Sequence, residues 1–122
     1  GQDDEGRIAD SARRDEVISQ VMAERALGLT TKRVVEESKM SGAPGAATSI
    51  FKLVGSSLTK SGSALKSQLR GTAGLVWESE EFDQDELDST RSWLRDRAVT
   101  IYGGTNEVQQ NIIAKRVLGL PD

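Results

Sequence analysis

The stretch from Ala46 to Leu69, AATSIFKLVGSSLTKSGSALKSQL, decides the fold. Its Ala47, Phe51, Val54, Leu58, Leu65 and Leu69 recur at intervals of 4, 3, 4, 7 and 4, which sets them along one face of a helix. A long helix with a single apolar stripe needs other helices to cover it. The middle of the stretch, Gly55-Ser56-Ser57 and Ser61-Gly62-Ser63, gives up helix propensity. In exchange it lets another helix, or a ligand, come close to the backbone; tight helix packing is the simpler of the two readings.

Working outward, residues 13–40 contain no proline and one glycine, and they predict a preceding helix. Val17, Ile18, Val21, Met22, Leu29 and Val35 share a broad face, with Leu27 and Val34 nearly opposite. A helix apolar on two sides calls for neighbours on both, which a lone four-helix unit only partly provides. Ser41-Gly42-Ala43-Pro44-Gly45 is expected to end it. Downstream, Gly71-Thr72-Ala73-Gly74 breaks the central helix, and Glu78 to Asp88 hold seven acidic residues and no basic one. That run lacks the ligand spacing of a calcium loop and reads as a solvated surface segment, with Asp85 or Asp88 suited to the N-terminus of the next helix. This third helix is expected over Glu86–Ile101 with Leu87, Leu94, Ala98 and Ile101 inward. Asp96 beside Arg95 and Arg97 reads as a structural ion pair. Thr105 should cap a fourth helix carrying Val108, Ile112, Ile113 and Val117, closed by Gly119 and Pro121. Four helices without a strand pattern predict an all-α, up-and-down antiparallel four-helix bundle over 13–122, preceded by a charged, solvated lead-in over 1–12.

Composition narrows the chemistry. The chain has 122 residues, 36% apolar and 4% aromatic (Phe51, Trp77, Phe82, Trp93, Tyr102), enough for one core but poor in large core residues. Such a domain should be marginal alone. A net charge of −3 and a pI near 5.1 supply no basic field for nucleic acid or an anionic membrane. With no cysteine and no histidine, Ser-His and Cys-His hydrolysis and zinc-water chemistry cannot be carried by this chain alone, and no metal site is expected. No apolar run reaches the roughly 18 residues of a membrane span. The chain reads as soluble, intracellular and cytoplasmic. The aromatics Trp77, Trp93 and Tyr102 read as core or interface residues.

Two glycine-bearing breaks can bring bare backbone to a ligand: Gln68-Leu69-Arg70-Gly71-Thr72-Ala73-Gly74 at a helix end, and Tyr102-Gly103-Gly104-Thr105-Asn106-Glu107 at a helix start. At the second, free N–H groups suit a phosphate or a ring edge, while glycine before a capping threonine also serves any helix corner.

The segment from Arg95-Asp96-Arg97-Ala98 through Ile101-Tyr102-Gly103-Gly104-Thr105-Asn106-Glu107-Val108-Gln109 to Gly119-Leu120-Pro121 resembles the C-terminal signature of acyl-CoA dehydrogenases. Ala46–Lys52 and Gln68–Gly74 are similar to that family's preceding helices and glycine turn, so the resemblance covers nearly all of 13–122. It implies the C-terminal helical domain of an FAD-dependent enzyme that removes the α-proton and β-hydrogen of an acyl-CoA thioester, as in fatty acid β-oxidation. It further implies that Gln68, Gly71 and Thr72 approach the FAD pyrophosphate of a neighbouring subunit, and that Thr105 and Glu107 reach FAD at the last helix start. Arg70 stands where the family often has Phe. Gly103 stands where many members carry the catalytic Glu, so no catalytic residue is assigned here, and Glu107 is given a capping or FAD-contact role. The implied partners are the rest of the subunit, neighbouring subunits in a dimer or tetramer, the acyl-CoA substrate and an electron-accepting flavoprotein. The alternative is a non-catalytic helical assembly module that has lost flavin binding.

Overall fold

The computed structural model describes residues 1–41 and 47–121. It is all-helical, with four α-helices: α1 (Ser11–Ser41), α2 (Ala47–Leu69), α3 (Gln84–Arg95) and α4 (Asn106–Ile112). A 3-10 turn at Gly71–Leu75 follows α2, another at Asp96–Thr100 prolongs α3, and a π turn at Ile113–Val117 prolongs α4. Among the described residues the only extended pairing is an isolated bridge, Gln2 with Ile8. The break expected after Ser41, and the expected start at Ala46, lie outside the described residues.

α2 is the central element, and α1 and the third segment run antiparallel to it. Along α1, Arg13 meets Gln68, Gln20 meets Ser61 and the Leu58 carbonyl, and Leu27 lies over Gly55. Along the third segment, Thr90 meets the turn at Gly74 beside Ser67, Arg97 donates to the Lys60 carbonyl, and the Lys52 ammonium donates to the Val99 carbonyl. The small residues of α2 thus serve close packing. A Cβ on Gly62 would lie 2.9 Å from the Gln20 amide nitrogen, and Ser56 and Ser67 are buried.

This packing selects the less apolar face of α1. Val17, Gln20, Ala23, Leu27 and Val34 are half-buried, because Gln20 and Leu27 fit the grooves left by Gly62 and Gly55. Ile18, Met22 and Leu29 on the other face are more than half exposed, at 54%, 66% and 55%, so the second neighbour expected for α1 is not supplied among the described residues. Leu87 and Val99 are the only buried apolar side chains among the described residues.

The third segment departs from expectation at both ends. It begins at Gln84 because Asp83 and Glu86 form a reciprocal capping box: Glu86 N donates to Asp83 Oδ1 at 2.8 Å and Asp83 N to Glu86 Oε2 at 3.2 Å. Asp85 is in the first turn, as expected, whereas Asp88 pairs with Arg91 at 3.4 Å. After Arg95 the coil tightens, and Leu87 and Val99 point inward while Leu94, Ala98 and Ile101 are exposed. Asp96 forms no ion pair with Arg95 or Arg97 among the described residues; Arg97 instead bonds the Trp93 and Lys60 carbonyls and lies 5.7 Å from the Trp93 ring.

At the start of the chain, Asp10 accepts from the Ala12 and Arg13 amides and starts α1 earlier than expected. Residues 1–9 close a small turn in which Asp3 Oδ1 accepts from the Glu5 and Arg7 amides and Gly6 takes φ +75. The Arg7 amide and guanidinium and the Glu5 amide hold the Asp3 carboxyl below its ordinary value.

Candidate functional site

The glycine turn after α2 is built by hydrogen bonding to a single carbonyl. Gly74 O accepts from Ser67 Oγ at 2.8 Å and from Thr90 Oγ1 at 3.1 Å, which pins the turn to both α2 and α3. Arg70 adds a second tie, its Nη2 lying 3.1 Å from Glu86 Oε1 in the capping box of α3. This is the use the chain makes of arginine here. Gly71 sits at φ +59 with nothing near its Cβ direction, so bare backbone faces open space.

Gln68, Gly71 and Thr72 line one groove of about 380 Å³, together with Leu75 and Trp93 and, among the described residues, no carboxylate. On its other side Gln68 borders a larger groove of about 600 Å³ between α1 and α2, which Asp15 and Glu16 also line. Asp15 and Glu16 disfavour an anion in the larger groove, a repulsion that the described lining of the smaller one does not supply. The smaller groove offers the Gln68 amide and the Thr72 hydroxyl as donors, bare backbone at Gly71, and apolar walls from Leu75 and Trp93. That donor set fits a phosphate group attached to a larger, partly apolar molecule.

The second cluster lies at the other end of α2. Gly103 and Gly104 take φ +70 and +97, the turn that lets Thr105 cap α4. Thr105 Oγ1 accepts from Val108 N at 3.4 Å. The buried Gln109 side chain donates to the Gly103 carbonyl at 3.2 Å and fills the space a Cβ on Gly104 would take. A Cβ on Gly103 would lie 3.5 Å from Lys52 Cε. Lys52 and Gln68 are sixteen residues apart on α2, so the two clusters are separated by about 24 Å at a 1.5 Å rise per residue. Thr105 and Glu107 therefore do not join Gln68, Gly71 and Thr72 in one pocket of this chain.

Glu107, fully exposed in the first turn of α4, is held below the ordinary carboxylate value by its own backbone N–H and by the Thr105 hydroxyl. A depressed folded pKa contributes stability that is present above the unfolded value and lost as pH falls through the folded one. In an NMR titration the Glu107 carboxyl is expected to titrate below a model glutamate, and Thr105→Val to move it back up. An unchanged midpoint in that variant would show that the hydroxyl does not engage it.

Among the polar contacts that sequence reasoning missed here are Arg13 to Gln68 and Gln109 to Gly103. Neither carries a periodic signal, since both are single polar side chains reaching out of a helix. Trp77 and Tyr102, read as core or interface aromatics, are 54% and 63% exposed and so not core; Arg91 covers the Trp77 ring at 5.5 Å. No helix among the described residues is long and apolar enough to cross a membrane.

Residues 2–118 match the family profile described as "Acyl-CoA dehydrogenase, C-terminal domain". The chain belongs to the acyl-CoA dehydrogenase family. A curated relative, "Acyl-CoA dehydrogenase IpdE1" of Mycolicibacterium smegmatis, is 57% identical over 53 residues, 43% of this chain and 12% of the relative. The protein of the same name from Mycobacterium tuberculosis is 53% identical over 51 residues, 42% of the chain and 12% of the relative. The matched stretch thus spans about an eighth of those relatives' length. No solved structure matches the chain significantly. For an acyl-CoA dehydrogenase domain, Gly103 places a residue with no ionisable side chain directly after Tyr102, and the Gln68–Thr72 groove is an open surface rather than an enclosed pocket.

Proposed function

We propose that this chain acts as the C-terminal domain of an FAD-dependent acyl-CoA dehydrogenase, contributing FAD contacts and subunit interface but not the proton-abstracting base. The observation that carries the reading is the groove that gathers Gln68, Gly71 and Thr72, with no carboxylate among its described lining residues. These residues fit the FAD pyrophosphate: Gln68 and Thr72 donate, and Gly71 allows close backbone approach. Being exposed, they act on a flavin bound chiefly by a neighbouring subunit. Thr105 and Glu107, about 24 Å away along α2, contact FAD at a separate place, with the Glu107 carboxylate accepting hydrogen bonds.

FAD, when bound, supplies acceptance of the β-hydrogen of the acyl-CoA thioester as hydride. Removing the α-proton needs a base, and Gly103 has none to offer. Glu107 is held as an anion in the first turn of α4, where it caps rather than abstracts. The base therefore comes from another part of the enzyme. The exposed Ile18, Met22 and Leu29 face of α1 is the surface on which the rest of the subunit or a neighbouring subunit packs, in a dimer or tetramer. In the cytoplasm the reduced enzyme passes electrons to an acceptor flavoprotein.

The purified chain, given FAD, an acyl-CoA and a dye acceptor, is expected not to bleach the dye, because the base is absent. Bleaching above the protein-free rate would contradict this. The exposed α1 face alone also favours a second reading, an assembly module without flavin; an oligomer that assembles through α1 and takes up no FAD would establish it.

A further inference from the structure

Gln68 stands on the wall between the two grooves, so what it offers depends on which end of its amide is already engaged. Arg13, on α1, donates from Nη1 to Gln68 Oε1 at 2.9 Å and to Glu16 Oε2 at 2.6 Å. A guanidinium has only donors, so it engages the carbonyl end of the amide and leaves the NH2 end, which has only donors of its own. Glu16 fixes the guanidinium from the same helix, one turn on. We infer that Arg13 is a positioning residue: it holds the Gln68 amide with its NH2 group outward and so commits this cluster to an acceptor-rich, anionic ligand such as a phosphate oxygen. The inference rests on the reading of Gln68 as a contact to the FAD pyrophosphate, and it deepens that reading. Without Arg13 the amide can turn, and half of its orientations then present a carbonyl oxygen to the phosphate.

The test is FAD affinity, measured by flavin fluorescence on the apo form of the whole dehydrogenase subunit that carries this chain, with circular dichroism to confirm folding. Gln68→Ala and Arg13→Ala are each expected to weaken binding about tenfold, the size of one hydrogen bond to a charged group. Arg13→Lys, which keeps one donor, should recover part of the loss. The double variant should bind no worse than Gln68→Ala, because Arg13 acts only through that amide. Gln68→Glu should fold and keep its pairing with Arg13, yet bind FAD more weakly than Gln68→Ala, since it turns a carboxylate toward phosphate. If Arg13→Ala weakens binding equally in the Gln68→Ala background, Arg13 is merely structural and the inference is overturned. If Arg13→Ala has no effect while Gln68→Ala does, the positioning role is overturned and the flavin contact stands. If Gln68→Ala has no effect, both fall.

Discussion

Gly74→Ala is expected to destabilise the protein by about 3 kcal/mol, a cost typical of forcing atoms into a packed site, and to lower its melting temperature by roughly 10 °C. A Cβ there would overlap the Ser67 carbonyl oxygen and lie 2.9 Å from the Ser67 carbonyl carbon. These are backbone atoms in the last turn of α2 and cannot swing aside as a side-chain tip could. Any shift also breaks the bonds that Gly74 O accepts from Ser67 and Thr90, both of which are buried. The loss should spread to the neighbouring Gly71–Thr72 backbone, so flavin affinity should fall together with stability. Ser67→Ala, which removes one of the two donors and adds no atoms, should cost about 1 kcal/mol. A Gly74→Ala melting curve that overlays the parent's would show that the turn is not pinned this way.

Leu87→Ala should cost about 3 kcal/mol, within the usual range for emptying a buried leucine site. Leu87 and Val99 are the only buried apolar side chains among the described residues, so little else can collapse into the space. By contrast Leu94→Ala and Ile101→Ala, at residues 46% and 64% exposed, should change stability by no more than about 0.5 kcal/mol. Urea unfolding of the three variants separates the cases. Equal losses at Leu87 and Leu94 would mean that α3 packs on the face expected from its sequence.

That contrast shows where reading the sequence failed. A 3.6-residue period carried from Leu87 to Ile101 puts Leu94, Ala98 and Ile101 on the Leu87 face, but the chain tightens to a 3-10 turn over Asp96–Thr100. Each residue there turns by about 120° instead of 100°, so the α-helical period cannot be carried past Arg95 to Ala98 and Ile101. Leu94, still within α3, is exposed because that helix buries Ser89 and Thr90 beside Leu87, with Thr90 bonded to the Gly74 carbonyl. Hydropathy failed in α1 for another reason. Its most apolar face marks a surface for contact, whereas its packing on α2 follows shape, with Gln20 and Leu27 over Gly62 and Gly55. The Thr105 cap and the glycine turns were legible because each is a local rule tied to a few adjacent residues, whereas the stripe of α2 held only in part: Val54 and Leu69 are 38% and 42% exposed, and the buried α2 side chains among the described residues are Ser56 and Ser67. The Asp83–Glu86 capping box, an acid-x-x-Glu before an apolar residue, was missed in favour of Asp85 or Asp88, because the dense run of carboxylates around it hid which one caps. Of the candidate site, the sequence pattern marked the two glycine breaks, and the resemblance to acyl-CoA dehydrogenases singled out Gln68, Gly71, Thr72, Thr105 and Glu107 within them. It could not mark Arg13, whose bond to Gln68 spans 55 residues and depends on the antiparallel register of α1 and α2.

The claim that this chain contributes flavin contacts from two separate surfaces is tested most directly by hydrogen exchange, followed by mass spectrometry, on the whole subunit with and without FAD. Slower exchange is expected in two places, the peptide over 68–74 and the peptide over 103–109, with the exposed α1 face unaffected by FAD at constant oligomeric state. Exchange unchanged by bound FAD at both peptides would contradict a flavin role for this domain.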